Sequence, residues 1–393
     1  MPGQKPRGVP PEANATRSAA DNQPLNEPAD VVHTDETPTW SFFSMMYGNP
    51  TYSRFALGIV LALLSTVVLA ANPQKRNPAS SDPQKTDADF PFQGEYVGDI
   101  SHDGQAIRFG VQVVAMGDGK FTAVAYPGGL PGDGWTPPNT ITGEGSREGE
   151  GKNGRVKLTG VDWGGVTRQG EIRNGAIVVK SNSGTEIAKL LRVNRKSPTL
   201  GQAPPKNAVV IFDGMAATSL PDTSKLIDGR VADDGLLMEG VTSKDSFGDS
   251  LWHIEFRLPY QPKDRGQGRG NSGAYLQGAY EVQMLDSFGL KGENNECGGV
   301  YSVAKPSVNM CLPPLEWQTY DIDFTAPRFE SDRKVSDPRI TVRHNGVVIQ
   351  DNVEIPKITP GGTQSNEKHI GPLHLQNHGN PVRYRNIWVL PKP

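Results

Sequence analysis

Cysteine is nearly absent: the 393 residues hold two, Cys297 and Cys311, both in the C-terminal half. Two thiols without a CxxC spacing give no structural-zinc signal. Blocks of lysine or arginine are missing too, and the formal net charge is -3. Nucleic acid therefore has no electrostatic footprint on this chain. The glycine-rich stretch YPGGLPGDGW (126–135) lacks the Lys-Ser/Thr of a phosphate-binding loop and precedes no helical pattern, so it reads as a shaped loop. No amphipathic helix of useful length occurs beyond residue 208. What is plentiful is Gly (45) and Pro (33). Outside the N-terminus they fall at turn-like intervals, as many short strands require. The length suits two or three domains of roughly 100–200 residues each.

Long hydrophobic runs are confined to one place, FALGIVLALLSTVVLAA (55–71), which follows Arg54 and ends in small residues. Val68-Leu69-Ala70 fits a signal-peptidase site. The run also sits at the lower length limit for crossing a hydrocarbon core of about 30 Å, so an uncleaved signal anchor is the alternative. Either way the expectation is export to the periplasm or cell surface, with membrane contact through this segment alone. Residues 1–54 are polar and Pro-rich and read as a disordered extension; translation from Met45 or Met46 would leave an ordinary short n-region ending in Arg54, ahead of the apolar run. Residues 72–91 read as a linker. Residues 92–195 read as a small β-rich accessory domain, with hairpin signals at Asp103-Gly104, Asp118-Gly119 and Asn174-Gly175. A second linker covers 196–207, and a larger β-rich domain runs over 208–393. In an exported protein Cys297 and Cys311 could close a loop worth about 3 kcal/mol, or stay as two buried thiols.

The strands of the larger domain alternate cleanly. In SLWHIEFRL (250–258), Trp252, Ile254, Phe256 and Leu258 share one face, and His253, Glu255 and Arg257 share the other. In AYLQGAYEVQM (274–284), Gly278-Ala279 can turn a hairpin that sets Tyr275 and Gln277 beside Glu281 and Gln283. In LHLQNHG (373–379), His374, Gln376 and His378 oppose the leucines. A sandwich with wet outer faces would explain one polar face per strand. Gln, Tyr, His and Glu recur here, however, and these side chains hydrogen-bond and stack on sugars. The turn-rich segments 270–273 and 294–301 could wall a groove.

Four stretches carry a specific resemblance: GNSGAYLQGAYEVQMLDSFG (270–289), NECGGVYSVAKPSVNMCLPPLEWQTYDIDF (295–324), ITVRHNGVVIQDNVEIP (340–356) and LHLQNHGNPVRYRNIWVLP (373–391). Over roughly 208–391 the chain resembles the 3-keto-disaccharide hydrolase domain, a family abundant in exported bacterial proteins. The resemblance implies an all-β chain ending in a concanavalin-A-like jelly roll whose polar face binds carbohydrate. It also implies cleavage of glycosides oxidised to a ketone at C3. The ketone acidifies the C2 proton, a base removes it, and the enolate expels the C1 leaving group. Such a site needs a base, a stabiliser for the enolate oxygen and an acid for the leaving oxygen. On that reading Glu281 is the first candidate base and His378 the next. Asp286 or His378 would protonate the leaving group or, with Glu281, hold one divalent metal ion. Tyr275, Gln277, Gln283, Gln376, His253 and Glu255 would contact hydroxyls, and Arg383 would lie near the enolate.

Two readings compete with this one. The first is a non-catalytic, lectin-like envelope protein. The second is a conventional glycosidase, because Glu281-x-Gln283-x-x-Asp286 resembles the Glu-x-Asp-x-x-Glu strand of family 16 glycoside hydrolases. A retaining pair needs carboxyls about 5–5.5 Å apart, whereas five residues of regular strand span ~16 Å. Asp286 would pair with Glu281 only across a pronounced bulge.

Overall fold

The computed structural model describes residues 77–393 except 103–104, 150–153, 163 and 216–220. The apolar run 55–71, its cleavage site, the extension 1–54 and the Asp103-Gly104 turn lie outside the described residues. Among the described residues no helix is long and apolar enough to cross a membrane, and the architecture is all-β.

Eight antiparallel strands come first: β1 (Gly94–His102), β2 (Gln105–Gly117), β3 (Lys120–Pro127), β4 (Ile141–Glu148), β5 (Arg155–Val161), β6 (Thr167–Arg173), β7 (Ala176–Lys180) and β8 (Glu186–Val193). Each pairs with the next, and β8 returns to β1, so the sheet closes into a barrel with no free edge. Strand alternation sends Tyr96, Val113, Phe121, Val156 and Ile172 inward, all buried. The tight turns need φ > 0 at both central residues, and Asp118-Gly119 and Asn174-Gly175 supply it.

The remaining strands are β9 (Val209–Phe212), β10 (Leu226–Ile227), β11 (Leu237–Met238), β12 (Val241–Phe247), β13 (Ser250–Arg257), β14 (Ser272–Leu276) and β15 (Tyr280–Met284). After them come β16 (Trp317–Thr325), β17 (Arg328–Glu330), β18 (Arg333–Ser336), β19 (Arg339–His344), β20 (Val347–Glu354), β21 (Gly371–Leu375) and β22 (Arg383–Pro391). They build a sandwich. One sheet has five strands in the order β10-β12-β21-β14-β15. The other has seven, β11-β22-β13-β16-β19-β20 with β9 on β22, and β17 pairs with β18 separately. Trp252, Ile254 and Phe256 from one sheet meet Ala274, Leu276, Val282, Met284, Leu373 and Leu375 from the other in a single core. The faces opposite these residues point away from the core, as the alternation predicts.

The described parts of the two segments expected to be linkers are built into the molecule. Ser80 exchanges backbone hydrogen bonds with Tyr260, whose phenol donates to Asp87 at 2.7 Å. Asp89 is buried and accepts from Arg147 Nε at 2.7 Å and from the Gly119 amide. The stretch after residue 77 thus straps the sandwich to the barrel. The segment after β8 lies on the outer face of the seven-stranded sheet: Ser197 bonds Thr319 at 2.6 Å, and Thr199 donates to Asp321 at 2.6 Å.

Candidate active site on the five-stranded sheet

The β14–β15 hairpin places Tyr275 directly opposite Glu281, and β21 places His374 opposite Tyr275. Thr242 of β12 completes the row beside His374. Because their sequence neighbours fill the core, Thr242, His374, Tyr275 and Glu281 all share the outer face. Tyr275 OH donates to Glu281 Oε2 at 2.8 Å and also faces the Pro360 carbonyl at 2.7 Å. Gln376 Nε2 donates to the same phenol oxygen at 3.2 Å. His374 Nδ1 lies 2.9 Å from Thr242 Oγ1, with its ring 5.9 Å from that of Tyr275.

The backbone leaves room for this arrangement. A Cβ on Gly273 would come within 2.1 Å of Glu281 Oε1, so the carboxyl occupies the space a side chain there would take. Gly361, at φ +88°, passes so close that its Cβ would lie 2.7 Å from the Tyr275 oxygen. Thr359 fixes the same loop by accepting from the Glu281 amide and donating to the Ala279 carbonyl. The glycine-rich segment 294–301 pairs with the free edge of β15. Gln283 exchanges backbone bonds with Gly298 and Gly299, and the Tyr301 amide donates to the Glu281 carbonyl at 3.2 Å. Gln283 Nε2 donates to Asn271 Oδ1 at 2.8 Å, and Asn271 donates in turn to the Gln267 carbonyl.

Glu281 is only 2 % exposed. Burial pushes its carboxyl up to about 8, and the Tyr275 hydrogen bond opposes that shift only in part. Among the described residues this is desolvation without a countercharge. Below that value the acid is protonated and can donate to the phenol oxygen while Tyr275 donates to Pro360. Above it the phenol must turn its single proton onto the carboxylate. Burial, with the charge and hydrogen bond of Glu281 acting in the same direction, drives the Tyr275 phenol far up, so Tyr275 stays neutral. Burial lowers His374, which keeps a neutral ring.

Several expected site residues stand elsewhere. Gln277 does not join Tyr275 and Glu281. It begins the hairpin turn at φ 55°, and its amide donates to the Phe247 and His369 carbonyls. Asp286 is buried in an ion pair with Arg269 Nε at 2.5 Å and also accepts from the Phe288 amide. Both contacts hold its carboxyl at the end of β15, away from the Tyr275–Glu281 pair, so the geometry offers neither a leaving-group acid nor a retaining partner for Glu281 there.

His253 and Glu255 lie on β13, in the other sheet, under the 197–202 segment. Glu255 accepts from the Gly201 amide (2.5 Å), Arg385 Nε (2.7 Å) and Asn386 Nδ2 (2.9 Å). His253 Nδ1 meets Asp321 Oδ1 at 2.6 Å. Burial alone would raise Glu255, yet the bonds from His253, Asn386, Gly201 and Arg385 hold it down at about 2. Arg383 is on the seven-stranded sheet as well, 3.8 Å from Asp234 and from Glu239. His378 is exposed on the loop after β21.

Glu281, Asp286 and His378 therefore do not fit a shared metal: one is bonded to a tyrosine, one to an arginine, and one is on a surface loop. Among the described residues no group of three or more His, Cys, Asp or Glu could hold an ion. Cys297 and Cys311 are both free and buried. Of the residues not expected at the site, His374 shared the alternation of Gln376 and was legible on that face. Thr242 and the 359–361 loop carry no pattern that would have flagged them.

Residues 207–390 match the family model described as the 3-keto-alpha-glucoside-1,2-lyase-like domain. A protein from Parabacteroides distasonis, provisionally named a glycosyl hydrolase, is 34% identical, with a TM-score of 0.42; the match covers 48% of this chain and 85% of that one. A second such protein from the same organism is 13% identical over 48% of this chain and 95% of the other, with a TM-score of 0.34. None of the curated proteins matches the chain.

Proposed function

Through residues 207–390 the chain belongs to the 3-keto-alpha-glucoside-1,2-lyase-like family, which supports a glycosidase-type function, and from that premise we propose that it cleaves 3-keto-glycosides by elimination across C1 and C2. The observation that carries the reading is Glu281: a buried carboxyl whose affinity for a proton lies close to neutral, on the polar face of the sheet. A base is most effective when its pKa lies near the working pH. In this mechanism Glu281 takes the C2 proton. The C2–H electron pair forms the enolate with the C3 carbonyl, then collapses into a C1–C2 double bond as the C1–O bond breaks. The departing oxygen gains a proton, and water adding across the new double bond gives net hydrolysis.

Tyr275 holds the Glu281 carboxylate by donating to it once the proton has left for solvent. Gln376 Nε2 and the neutral His374 ring supply uncharged polar groups on the same face. No second carboxylate is needed, which suits the engagement of Asp286 by Arg269. Export through the 55–71 segment, to meet a carbohydrate substrate outside the cytoplasm, is part of the same proposal.

The test offers the full chain a 3-keto-glucoside and the corresponding unoxidised glucoside. Release of the aglycone from the keto-sugar alone, with a transient enone absorbance, is expected. Equal turnover of both substrates would overturn the elimination mechanism, and sugar binding without turnover of either would favour a lectin.

A further inference from the structure

We propose that the β1–β8 barrel is a binding site for one small apolar molecule, independent of the chemistry on the sandwich. Among the described residues the barrel is filled at one end and open inside at the other. Toward the sandwich, Tyr96, Val113, Phe121, Val156 and Ile172 pack its interior to at most 2 % exposure. Toward the opposite end the register runs Ala123–Gly143–Gly160 and Leu158–Gly170–Val179, which puts the small residues Ala123, Gly143, Gly160 and Gly170 at inward positions on successive strands. Small side chains leave the middle of the barrel unfilled there. The result is a cavity of ≈ 480 Å³ walled by Ile100, Ile107, Phe109, Ile141, Leu158 and Val179 among others.

Three physical points make this a ligand site rather than a packing defect. Cores normally contain few voids larger than a water molecule, and this volume is within the range of about 300–1,000 Å³ typical of small-molecule pockets. An eight-stranded barrel is just wide enough either to fill with side chains or to hold one small ligand. An apolar cavity offers water too few partners, and one of ~150 Å³ already takes benzene. A volume about three times larger suits a medium-length alkyl chain or a two- to three-ring hydrocarbon. The charged couple on the cavity wall is Arg168–Asp162, with Nε 2.8 Å from Oδ2. The polar end of an amphiphile would meet it, leaving the apolar body inside.

The probe is N-phenyl-1-naphthylamine titrated into the full chain and followed by fluorescence. Saturable one-to-one enhancement is expected, with displacement by 1-decanol. Ala125→Phe, on the cavity wall, should weaken probe binding at least tenfold. Gly170→Val should do the same; its Cβ would sit 3.3 Å from Ile177 Cγ2, a milder intrusion that carries the test if the phenylalanine variant unfolds. Val161→Phe, on the outer surface at 55 % exposure, should bind as the parent does. Methyl resonances need no variant: the probe should shift those of Ile107, Ile141 and Val179 and spare Ile254 and Val282 in the sandwich. Absence of saturable binding, wild-type affinity in folded Ala125→Phe or Gly170→Val, or shifts confined to sandwich methyls would each overturn the proposal.

Discussion

Glu281 and Glu255 occupy equivalent places, each on the outer face of one sheet of the sandwich, and each is buried to within 2 % of complete. Their chemistry is opposite. Glu255 is surrounded by a backbone amide, an amide side chain, a guanidinium and an imidazole, which hold it near 2. Glu281 has one phenol among the described residues and sits near 8. Burial raises both, and the count of donors decides the outcome. A carboxylate saturated with donors is an anchor; one starved of them exchanges its proton near neutral pH and is free to react.

Removing each group breaks the comparison most sharply. Glu281→Gln keeps the shape and loses the base, so the rate of 3-keto-glucoside cleavage should fall by about 10³-fold, within the ~10²–10⁴ that positioned acid–base groups supply, while the fold survives. A single-turnover assay on purified variant checks this, and a loss below tenfold would remove Glu281 from the role of base. Glu255→Ala should act the other way. It strands Arg385 and unhooks the Gly201 amide, so unfolding by denaturant should show a loss of about 3–5 kcal/mol, the usual consequence of orphaning one partner of a buried pair. Turnover per folded molecule should change little, because among the described residues no hydrogen bond joins Glu255 to the Tyr275–Glu281 row.

The contrast also fixes what could be read in advance. Alternation along 250–258, 274–284 and 373–379 assigned faces correctly for His253, Glu255, Tyr275, Glu281, Gln283 and Gln376. It could not distinguish the two outer faces, because a two-residue period records direction and says nothing of what comes to lie on top. The covering of Glu255 comes from Gly201 and Ser197–Thr199 contacts, in a stretch that reads as linker. Two further donors, Arg385 and Asn386, arrive from a strand 130 residues away at a register shift opposite β13. Asp286 was misread for the same reason: its partner Arg269 is brought to it by tertiary structure. A raised pKa arises from donors that are missing, and a sequence does not display what is missing around a residue.

The pH dependence of stability sharpens the comparison further. Glu281 is raised in the folded state, so its contribution is fully present below the ordinary carboxylate value of 4.5 and fades as pH climbs toward about 8. Glu255 is depressed, so its contribution is present above 4.5 and disappears as pH falls through about 2. The Glu281 slope is at most about 1.4 kcal/mol per pH unit. Chemical denaturation at pH 5, 7 and 9 should show Glu281→Gln gaining on the parent as pH rises. Identical pH profiles for parent and variant would mean that Glu281 is not protonated at neutral pH.

The finest test concerns the single side-chain donor that Glu281 retains among the described residues. The rate of C2 proton removal should rise with pH and level off above about 8, as the carboxylate forms. The Tyr275 hydrogen bond is the one interaction that lowers this value, so its loss should move the limb to still higher pH. Tyr275→Phe keeps the ring beside His374 and removes only the hydroxyl. Its kcat/KM profile should shift alkaline by about one pH unit, the order expected for losing one hydrogen bond to an ionised group. At pH 7 that shift costs about tenfold in rate, whereas well above both limbs the two enzymes should approach each other. If Tyr275 merely packed the sheet, the variant would lose activity equally at every pH and the limb would stay where it was. Glu255 has no counterpart to this experiment: with four donors around it, removing one leaves the carboxylate ionised throughout the range in which the enzyme can be assayed.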